Sequence, residues 1–245
     1  MLAKAGLSRR RLTANEVYDI EPALNAPVIG GYYTDSDFTG DIHKFATGLA
    51  EAARQQGVTF VMNTEVGTIK HQDGEPQIFW TGPEGQQQDK NFDGVEVTAG
   101  VMGRKLAEQL GERVNIYPVK GYSITVELND ESSQAAAPTV SLLDDAAKIV
   151  TARLGKDRFR VAGTAEINGI NYDIRSDRIA PLTRWVEENF PEVSTETVIP
   201  WAGLRPMMPS MMPRIGPGQK PGVFYNTGHG HLGWTLSCIS AQMVG

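Results

Sequence analysis

The sequence predicts an α/β (α+β) fold in which helices accompany a mixed, mainly antiparallel sheet. Apolar residues at helical spacing follow Asp41 and stop before Gly57, which indicates an amphipathic helix with a polar N-cap and a glycine end. Strand-like stretches at 116–128 and 139–161 alternate apolar and polar side chains, as in an antiparallel sheet with one covered face. A further helix over 178–190 is predicted from an apolar face shared by Ile179, Leu182, Trp185, Val186 and Phe190.

The bulk properties limit the classes of protein to consider. The 245 residues suffice for one large domain or two smaller ones with a substantial core. A formal net charge of −6 does not suggest broad nucleic-acid binding. The single cysteine, Cys238, excludes an internal disulfide framework, and we expect a buried, inert thiol in the last helix. There is no apolar run of about 18 residues, so no transmembrane helix is predicted.

The beginning of the sequence is basic, with Lys4, three consecutive arginines and no acidic residue among its first 15 residues. A transit peptide has this composition. We favour instead a short helix and a loop, followed by a helix that Thr13 opens. That helix is expected to end at Glu21, because the residue before a proline is pushed out of the helical region.

The intervening elements are predicted from local patterns. They are strands at 28–34, 58–62, 66–70 and 95–99, a polar hairpin at 72–93, a helix at 101–110 and a loop at 135–138. The strand at 95–99 carries Glu96, and a buried carboxylate is costly unless it is paired. We therefore expect an edge strand there or an imperfect domain.

A glycine turn near the end of the sequence is the first candidate for function. Gly228, Gly230 and Gly233 match the Gly-x-Gly-x-x-Gly pattern between a strand-like segment and an apolar helical one. A dinucleotide-binding unit also needs a following strand and an acidic residue about 20 positions on, and the sequence ends at Gly245 before either. The turn is then either a structural strand–turn–helix or a helix N-terminus that faces another negatively charged group.

Two more features belong with this turn. Arg205 lies in an apolar, proline-rich run, where a guanidinium can hold a carboxylate with two parallel bonds or form a structural ion pair. His229 and His231 have a spacing that suits metal ligands on a strand. The other histidines are distant and a zinc site needs three or four ligands, so we expect turn geometry and no metal.

Together these residues resemble the C-terminal part of the FAD-dependent D-amino-acid dehydrogenases. That family belongs with D-amino-acid oxidase, glycine oxidase and sarcosine oxidase. The matching segments are Gly203 with 205–206, 226–237, 30–31, 39–41, 63–66, 99–100, 117–123 and 161–166. The resemblance implies a partial FAD-binding domain plus a mixed, mainly antiparallel substrate-binding sheet. It assigns 1–30 and 101–200 mainly to the substrate-binding domain, and 31–100 and 201–245 mainly to the FAD-binding domain.

The resemblance also implies roles for individual residues. Arg205 would clamp the substrate carboxylate, the main-chain carbonyl of His231 would receive the substrate amine, and Tyr122 is a weaker candidate for the pocket. Val66 would meet the adenine of FAD. The implied cofactor-binding residues are Val66, Ala99, Gly100, Gly228, His229, Gly230, Leu232, Gly233, Trp234 and Thr235.

The implied activity is oxidative deamination of D-amino acids to 2-oxo acids and ammonia. Electrons would pass to a quinone-type acceptor, in the cytoplasm or at the periphery of the inner membrane. Glycine or sarcosine oxidation is one alternative, and a non-catalytic fragment without FAD is another. Family members open with a strand and a Gly-x-Gly-x-x-Gly turn, and nothing before Asp41 resembles them. We therefore expect this sequence to lack the N-terminal dinucleotide unit.

Overall fold

A computed structural model describes residue 6 and residues 8–245. The chain forms two compact units, each built from several segments. The first comprises 1–41, 121–166 and 172–203, and the second comprises 42–120, 167–171 and 204–245. Residues 1–5 and 7 lie outside the described part of the chain. Lys4 and most of the short helix expected at the beginning of the sequence are among them.

The first unit contains most of a five-stranded sheet with the order β11-β7-β10-β9-β8. These strands are β7 (Tyr117–Glu127), β8 (Leu143–Asp144), β9 (Ile149–Arg153), β10 (Arg158–Ile167) and β11 (Val198–Met207). β9 is antiparallel to both β8 and β10, as the alternating pattern predicts. Residues 120–124 of β7 are all buried, so both faces of this strand are covered there rather than one.

Helix α5 (Ser176–Asn189) contributes its apolar face to the core of this unit. The core also contains Ile124 and Val126 of β7 and Phe159 of β10, all fully buried. Phe159 meets Phe190 edge to face with ring centroids 5.7 Å apart. The face predicted for 178–190 is thus the face that packs, because apolar residues three and four apart lie on one side of a helix.

The first helix behaves as its local sequence predicts. α1 (Ala14–Ile20) begins after Thr13, whose side chain and that of Glu16 form a capping box, and it ends at Glu21. It follows a short strand that was not predicted, β1 (Arg10–Leu12), which is antiparallel to β2 (Gly31–Tyr33). The strand predicted at 28–34 is observed only over Gly31–Tyr33.

The prediction of a loop at 135–138 is partly wrong. Helix α4 (Glu131–Ala136) runs into it. The reason is a cap that we overlooked: the Asp130 carboxylate accepts a hydrogen bond from the backbone of Ser133 at 2.7 Å. Such a bond satisfies an otherwise unpaired amide of the first turn and stabilises the helix start.

The second unit contains two three-stranded sheets. One has the order β12-β13-β6, with β6 (Val95–Val97), β12 (Arg214–Pro217) and β13 (Val223–Thr227). β6 is parallel to β13 and lies at the edge, where Glu96 is exposed, as its charge predicts. The other sheet is antiparallel and holds the predicted hairpin, with β3 (Glu65–Gln72), β4 (Glu75–Thr81) and β5 (Gln87–Asn91).

Three helices complete the second unit: α2 (Ile42–Gln55), α3 (Gly103–Gln109) and α6 (Gly233–Val244). All three were predicted, and a short 3-10 helix at Gly100–Met102 precedes α3. Cys238 in α6 is exposed, which contradicts the buried thiol that we expected. Its helix buries only Ser240, so the apolar character of the segment did not place it in the core.

The apolar stripe of α2 stays largely exposed in the part of the chain that the structure describes. No residue of α2 is buried, and Leu49 is 57% exposed. The following segment at 58–62 forms no strand, although its sequence predicts one, and Val61 is 64% exposed. That prediction is wrong for this chain because a strand needs a hydrogen-bonding partner, and none of the described residues pairs with it.

Within residue 6 and residues 8–245, no helix combines the length and the apolar character required to cross a bilayer.

Candidate functional site

The glycine turn forms the strand–turn–helix that its sequence predicts. β13 ends at Thr227 and α6 begins at Gly233. Gly228 and Gly230 both have positive φ, +77° and +58° respectively. A Cβ at Gly228 would lie 2.7 Å from Cγ of Met208, and a Cβ at Gly230 would lie 2.7 Å from Sδ of Met207. Only glycine combines this backbone conformation with so close a contact.

Substituting Gly228 by alanine tests this packing. We expect unfolding free energy to fall by about 2–4 kcal/mol, because a side chain at positive φ costs roughly 1–2 kcal/mol and overpacking adds roughly 1–3 kcal/mol. Gly111→Ala is the matched control: Gly111 has φ +79°, but its Cβ would meet no atom within 4 Å. Thermal unfolding should show a small loss for Gly111→Ala and a clearly larger one for Gly228→Ala. Equal losses would contradict the close approach of Met208.

Two hydrogen bonds, one from a main-chain amide and one from a side-chain hydroxyl, join the turn and the end of β13 to neighbours in the second unit. The amide of Gly230 donates to the carbonyl of Pro206 at 2.9 Å, which places the turn beside the residue that follows Arg205. The hydroxyl of Thr227 donates to the carbonyl of Gly100 at 3.3 Å. The structure therefore brings together Arg205, the glycine turn and the Gly100 turn, although they are far apart in the sequence.

Arg205 is half-buried at the end of β11. Burial lowers the pKa of its guanidinium below the ordinary value, because less polar surroundings disfavour the charged form. An arginine nevertheless keeps its charge at neutral pH. A half-buried, charged fork of this kind is suited to holding a carboxylate with parallel hydrogen bonds.

The N-terminus of α6 has no side-chain cap. Leu232 occupies the N-cap position and makes no side-chain hydrogen bond. The first amides of a helix lack partners within the helix, so those of Gly233, Trp234 and Thr235 are donors directed out of the helix end. The ring of Trp234 meets Phe45 of α2 edge to face at 5.0 Å. This end of α6 is thus a set of backbone donors bordered by apolar side chains.

The two histidines of the turn have different surroundings. His229 is half-buried, and its Nε2 lies 2.9 Å from the hydroxyl of Ser240 in α6. The side chain of His231 is exposed. Over the residues that the structure describes, no group of three or more histidine, cysteine, aspartate or glutamate side chains is placed to hold a metal ion.

The pH dependence of stability tests the burial of His229. Burial lowers the pKa of this imidazole below its ordinary value of 6.5. The neutral ring therefore stabilises the fold above pH 6.5, and this contribution is lost as the pH falls through the lower folded-state pKa. We expect wild type to lose more thermal stability between about pH 8 and pH 5 than His229→Gln, which cannot titrate. Equal losses of thermal stability in the two proteins over this pH range would refute the role assigned to buried His229.

The remaining predicted cofactor residues also lie in the second unit. Val66 is in β3 with 41% of its surface exposed, and Ala99 is exposed just before the 3-10 helix. Gly100 has φ +53° and is joined to Thr227 as described. Val66 lies in the sheet of β3, β4 and β5, whereas the glycine turn follows β13 of the other sheet in this unit.

Tyr122 lies in the first unit and is only 1% exposed. Its hydroxyl donates to Oε2 of Glu166 at 2.7 Å, and Arg175 donates to Oε1 of the same carboxylate at 2.8 Å. Sequence reasoning did not assign a role to Glu166, Arg175 or Ser240. No local sequence pattern predicts hydrogen bonds between side chains that lie 9 to 44 positions apart in the chain. The Tyr122 hydroxyl is thus held by a buried carboxylate.

Comparison with known proteins assigns the family. A family model described as FAD dependent oxidoreductase matches residues 1–245. The chain belongs to this family. FAD is the cofactor of the family, and the mixed α/β architecture agrees with the family's folds.

Several relatives are named D-amino acid dehydrogenases. The chain is 54% identical over 244 residues to D-amino acid dehydrogenase 3 of Mesorhizobium japonicum, covering 100% of this chain and 59% of the relative. It is 38% identical over 250 residues to the D-amino acid dehydrogenase of Dechloromonas aromatica, with the same coverage of 100% and 59%. The chain thus spans about 59% of the length of the curated relatives that it matches.

Solved structures confirm the fold. Glycine oxidase from Geobacillus kaustophilus is similar with a TM-score of 0.87 at 21% identity, over 98% of this chain and 63% of the oxidase. Glycine oxidase from Bacillus cereus has a TM-score of 0.84 at 23% identity, over 98% and 64% respectively.

Proposed function

We propose that this chain is part of a D-amino acid dehydrogenase that oxidatively deaminates D-amino acids to 2-oxo acids and ammonia. The first unit would form most of the substrate-binding sheet, and the second would form part of the FAD-binding domain. The observation that carries the proposal is the bond between the Gly230 amide and the Pro206 carbonyl, 2.9 Å long. It joins the residue that follows Arg205 to the turn that leads into α6, which supports a site where an arginine recognises the carboxylate of an amino acid next to a flavin.

The residues of the second unit fit FAD. The first amides of α6 carry no side-chain cap, and donors at a helix N-terminus stabilise negative charge on a bound group. Val66 and Ala99 expose apolar surface. We propose that main-chain groups of the turn from Gly228 to Leu232 and of the start of α6 hold the flavin ring. The Ala99–Gly100 turn would also contact FAD, and Val66 would meet the adenine.

The chain's own residues would bind and orient the substrate. When bound, FAD supplies the two-electron oxidation by accepting the hydride from the substrate's α carbon. Arg205 would hold the substrate carboxylate with parallel hydrogen bonds. The carbonyl of His231 would accept a hydrogen bond from the amine. Tyr122, fixed by Glu166, is proposed as part of the substrate-binding unit.

The exposed stripe of α2 favours one further candidate, a fragment that folds without holding FAD. Apolar helix faces are normally buried, and no residue of this one is buried among the described residues. In that case the activity belongs to a protein that also contains the remaining length of the relatives.

A visible absorption spectrum tests both candidates. The purified chain is mixed with FAD, excess FAD is removed, and D-alanine or sarcosine is added in the absence of oxygen. Retained flavin that bleaches with D-alanine and not with sarcosine supports the proposed function for this chain. Bleaching with sarcosine alone assigns the rival amine oxidation, and a colourless protein assigns the fragment.

The electron acceptor is also a proposal. We propose a quinone-type acceptor, reached in the cytoplasm or at the periphery of the inner membrane. If so, a soluble quinone should reoxidise the D-alanine-reduced protein much faster than dioxygen does, measured by recovery of the flavin absorbance. Equal rates with dioxygen would instead indicate an oxidase.

A further inference from the structure

The imidazole of His229 is linked to α6 by two consecutive hydrogen bonds. The Ser240 hydroxyl donates its proton to the Leu236 carbonyl at 2.7 Å. It therefore accepts from Nε2 of His229, 2.9 Å away. This arrangement assigns a proton to Nε2 of His229, and Ser240 itself is buried with 2% exposure.

We propose that His229 is a positioning residue whose imidazole fixes the glycine turn to α6 through Ser240. In doing so it sets the direction of the first amides of α6. The link between turn and helix stands on the hydrogen bonds alone, and its consequence for flavin binding rests on the proposed function. This differs from the direct cofactor contact that the family resemblance implies for His229.

The backbone around His229 explains why such a link is needed. His229 lies between Gly228 and Gly230, and glycine gives a backbone little conformational preference. Two main-chain bonds restrain the turn, from Gly230 to Pro206 at 2.9 Å and from Leu232 to the His229 carbonyl at 3.0 Å. The imidazole adds a restraint from a different direction, to a residue 11 positions further along the chain.

The position of Ser240 gives this restraint its effect. α6 begins at Gly233, so Ser240 lies about two turns into the helix, where the backbone is fully hydrogen-bonded. A bond made there orients the helix as a body relative to the turn, whereas a bond to the first residue would affect only a fraying end. The amides at the start of α6 move with the helix.

The test is a double-mutant cycle. The variants are His229→Phe, Ser240→Ala, both together, and His229→Gln, which retains a side-chain N–H donor. Ser237→Ala is the matched control, because the Ser237 hydroxyl also donates to a carbonyl in α6, that of Trp234 at 2.9 Å.

The first readout is the hydrogen bond itself. In wild type, NMR of ¹⁵N-histidine protein should show a slowly exchanging Nε2–H proton for His229, and Ser240→Ala should abolish it. In thermal unfolding the two single variants should each lower the folding equilibrium constant about three- to tenfold, and the double variant no further, because one bond is lost in each case. Additive losses would overturn the proposal.

The second readout is the dissociation constant for FAD. His229→Phe and Ser240→Ala should weaken FAD binding about equally, by roughly three- to tenfold for one lost hydrogen bond, and His229→Gln should restore most of it. Ser237→Ala should bind FAD as wild type does. A loss confined to His229→Phe would mean that the imidazole contacts FAD directly, and the proposal would be wrong.

The outcomes separate this proposal from the proposed function. If wild type holds no FAD but the NMR signal and the unfolding cycle behave as expected, the link is supported and the proposed function of this chain fails. If FAD binds but the cycle is additive, the proposed function stands and the positioning role fails.

Discussion

An Arg205→Ala variant is expected to raise the KM for D-alanine at least about 100-fold. Arg205 is half-buried, and the next residue, Pro206, is joined to the glycine turn by the bond from the Gly230 amide. Hydrogen bonds to charged groups are worth about 1.5–3 kcal/mol each, so loss of a two-bond clamp costs at least about 3 kcal/mol of substrate binding. Steady-state kinetics with the flavin-loaded protein, over a range of D-alanine concentrations, measures the effect.

Two control variants sharpen this prediction. Arg205→Lys keeps the charge but not the planar fork, so its KM should lie between those of wild type and Arg205→Ala. Arg104 belongs to the same unit and forms an exposed ion pair with Glu108 at 2.9 Å, so Arg104→Ala should leave KM unchanged. An unchanged KM for Arg205→Ala would reject the carboxylate clamp.

A Phe159→Ala variant is expected to lose about 3–5 kcal/mol of unfolding free energy. Phe159 has 0% exposure and packs edge to face on Phe190 at the centre of the first unit's core. Removing the ring takes away its burial and leaves a cavity that rigid neighbours cannot fill. Urea-induced unfolding, followed by near-ultraviolet circular dichroism and tryptophan fluorescence, measures the loss.

The matched control for this variant is Phe38→Ala. Phe38 belongs to the same unit but is 91% exposed, so its removal should change stability by no more than about 0.5 kcal/mol. A similar loss from both variants would show that the core assigned to Phe159 is not the part that stabilises this unit.

Much of the candidate site was predictable from sequence patterns. The glycines of the turn predict a strand–turn–helix, and the structure has β13, the turn and α6 in that order. Arg205 was selected for its apolar, proline-rich surroundings together with the family resemblance. Its position beside the turn was not predictable, because it depends on a bond between Gly230 and Pro206, 24 positions apart in the printed sequence.

The failures share a cause. The segment at 58–62 has the composition of a strand, yet it remains unpaired among the described residues. The exposed thiol of Cys238 is a second case, since the apolar α6 segment predicted burial. A local pattern reports which face or conformation a segment prefers. It does not report whether another segment is present to pair with it or cover it.

The sequence by itself determined the local features: the capping box of Thr13 and Glu16, the end of α1 at Glu21, and the glycines that adopt positive φ. Each depends on a residue's own backbone preference or on neighbours within a few positions. Only the tertiary structure decided the long-range partners, such as Glu166 for Tyr122, 44 positions away. Such pairs form when packing brings distant strands and helices together, because hydrogen-bond geometry depends on distances in space rather than on spacing along the chain.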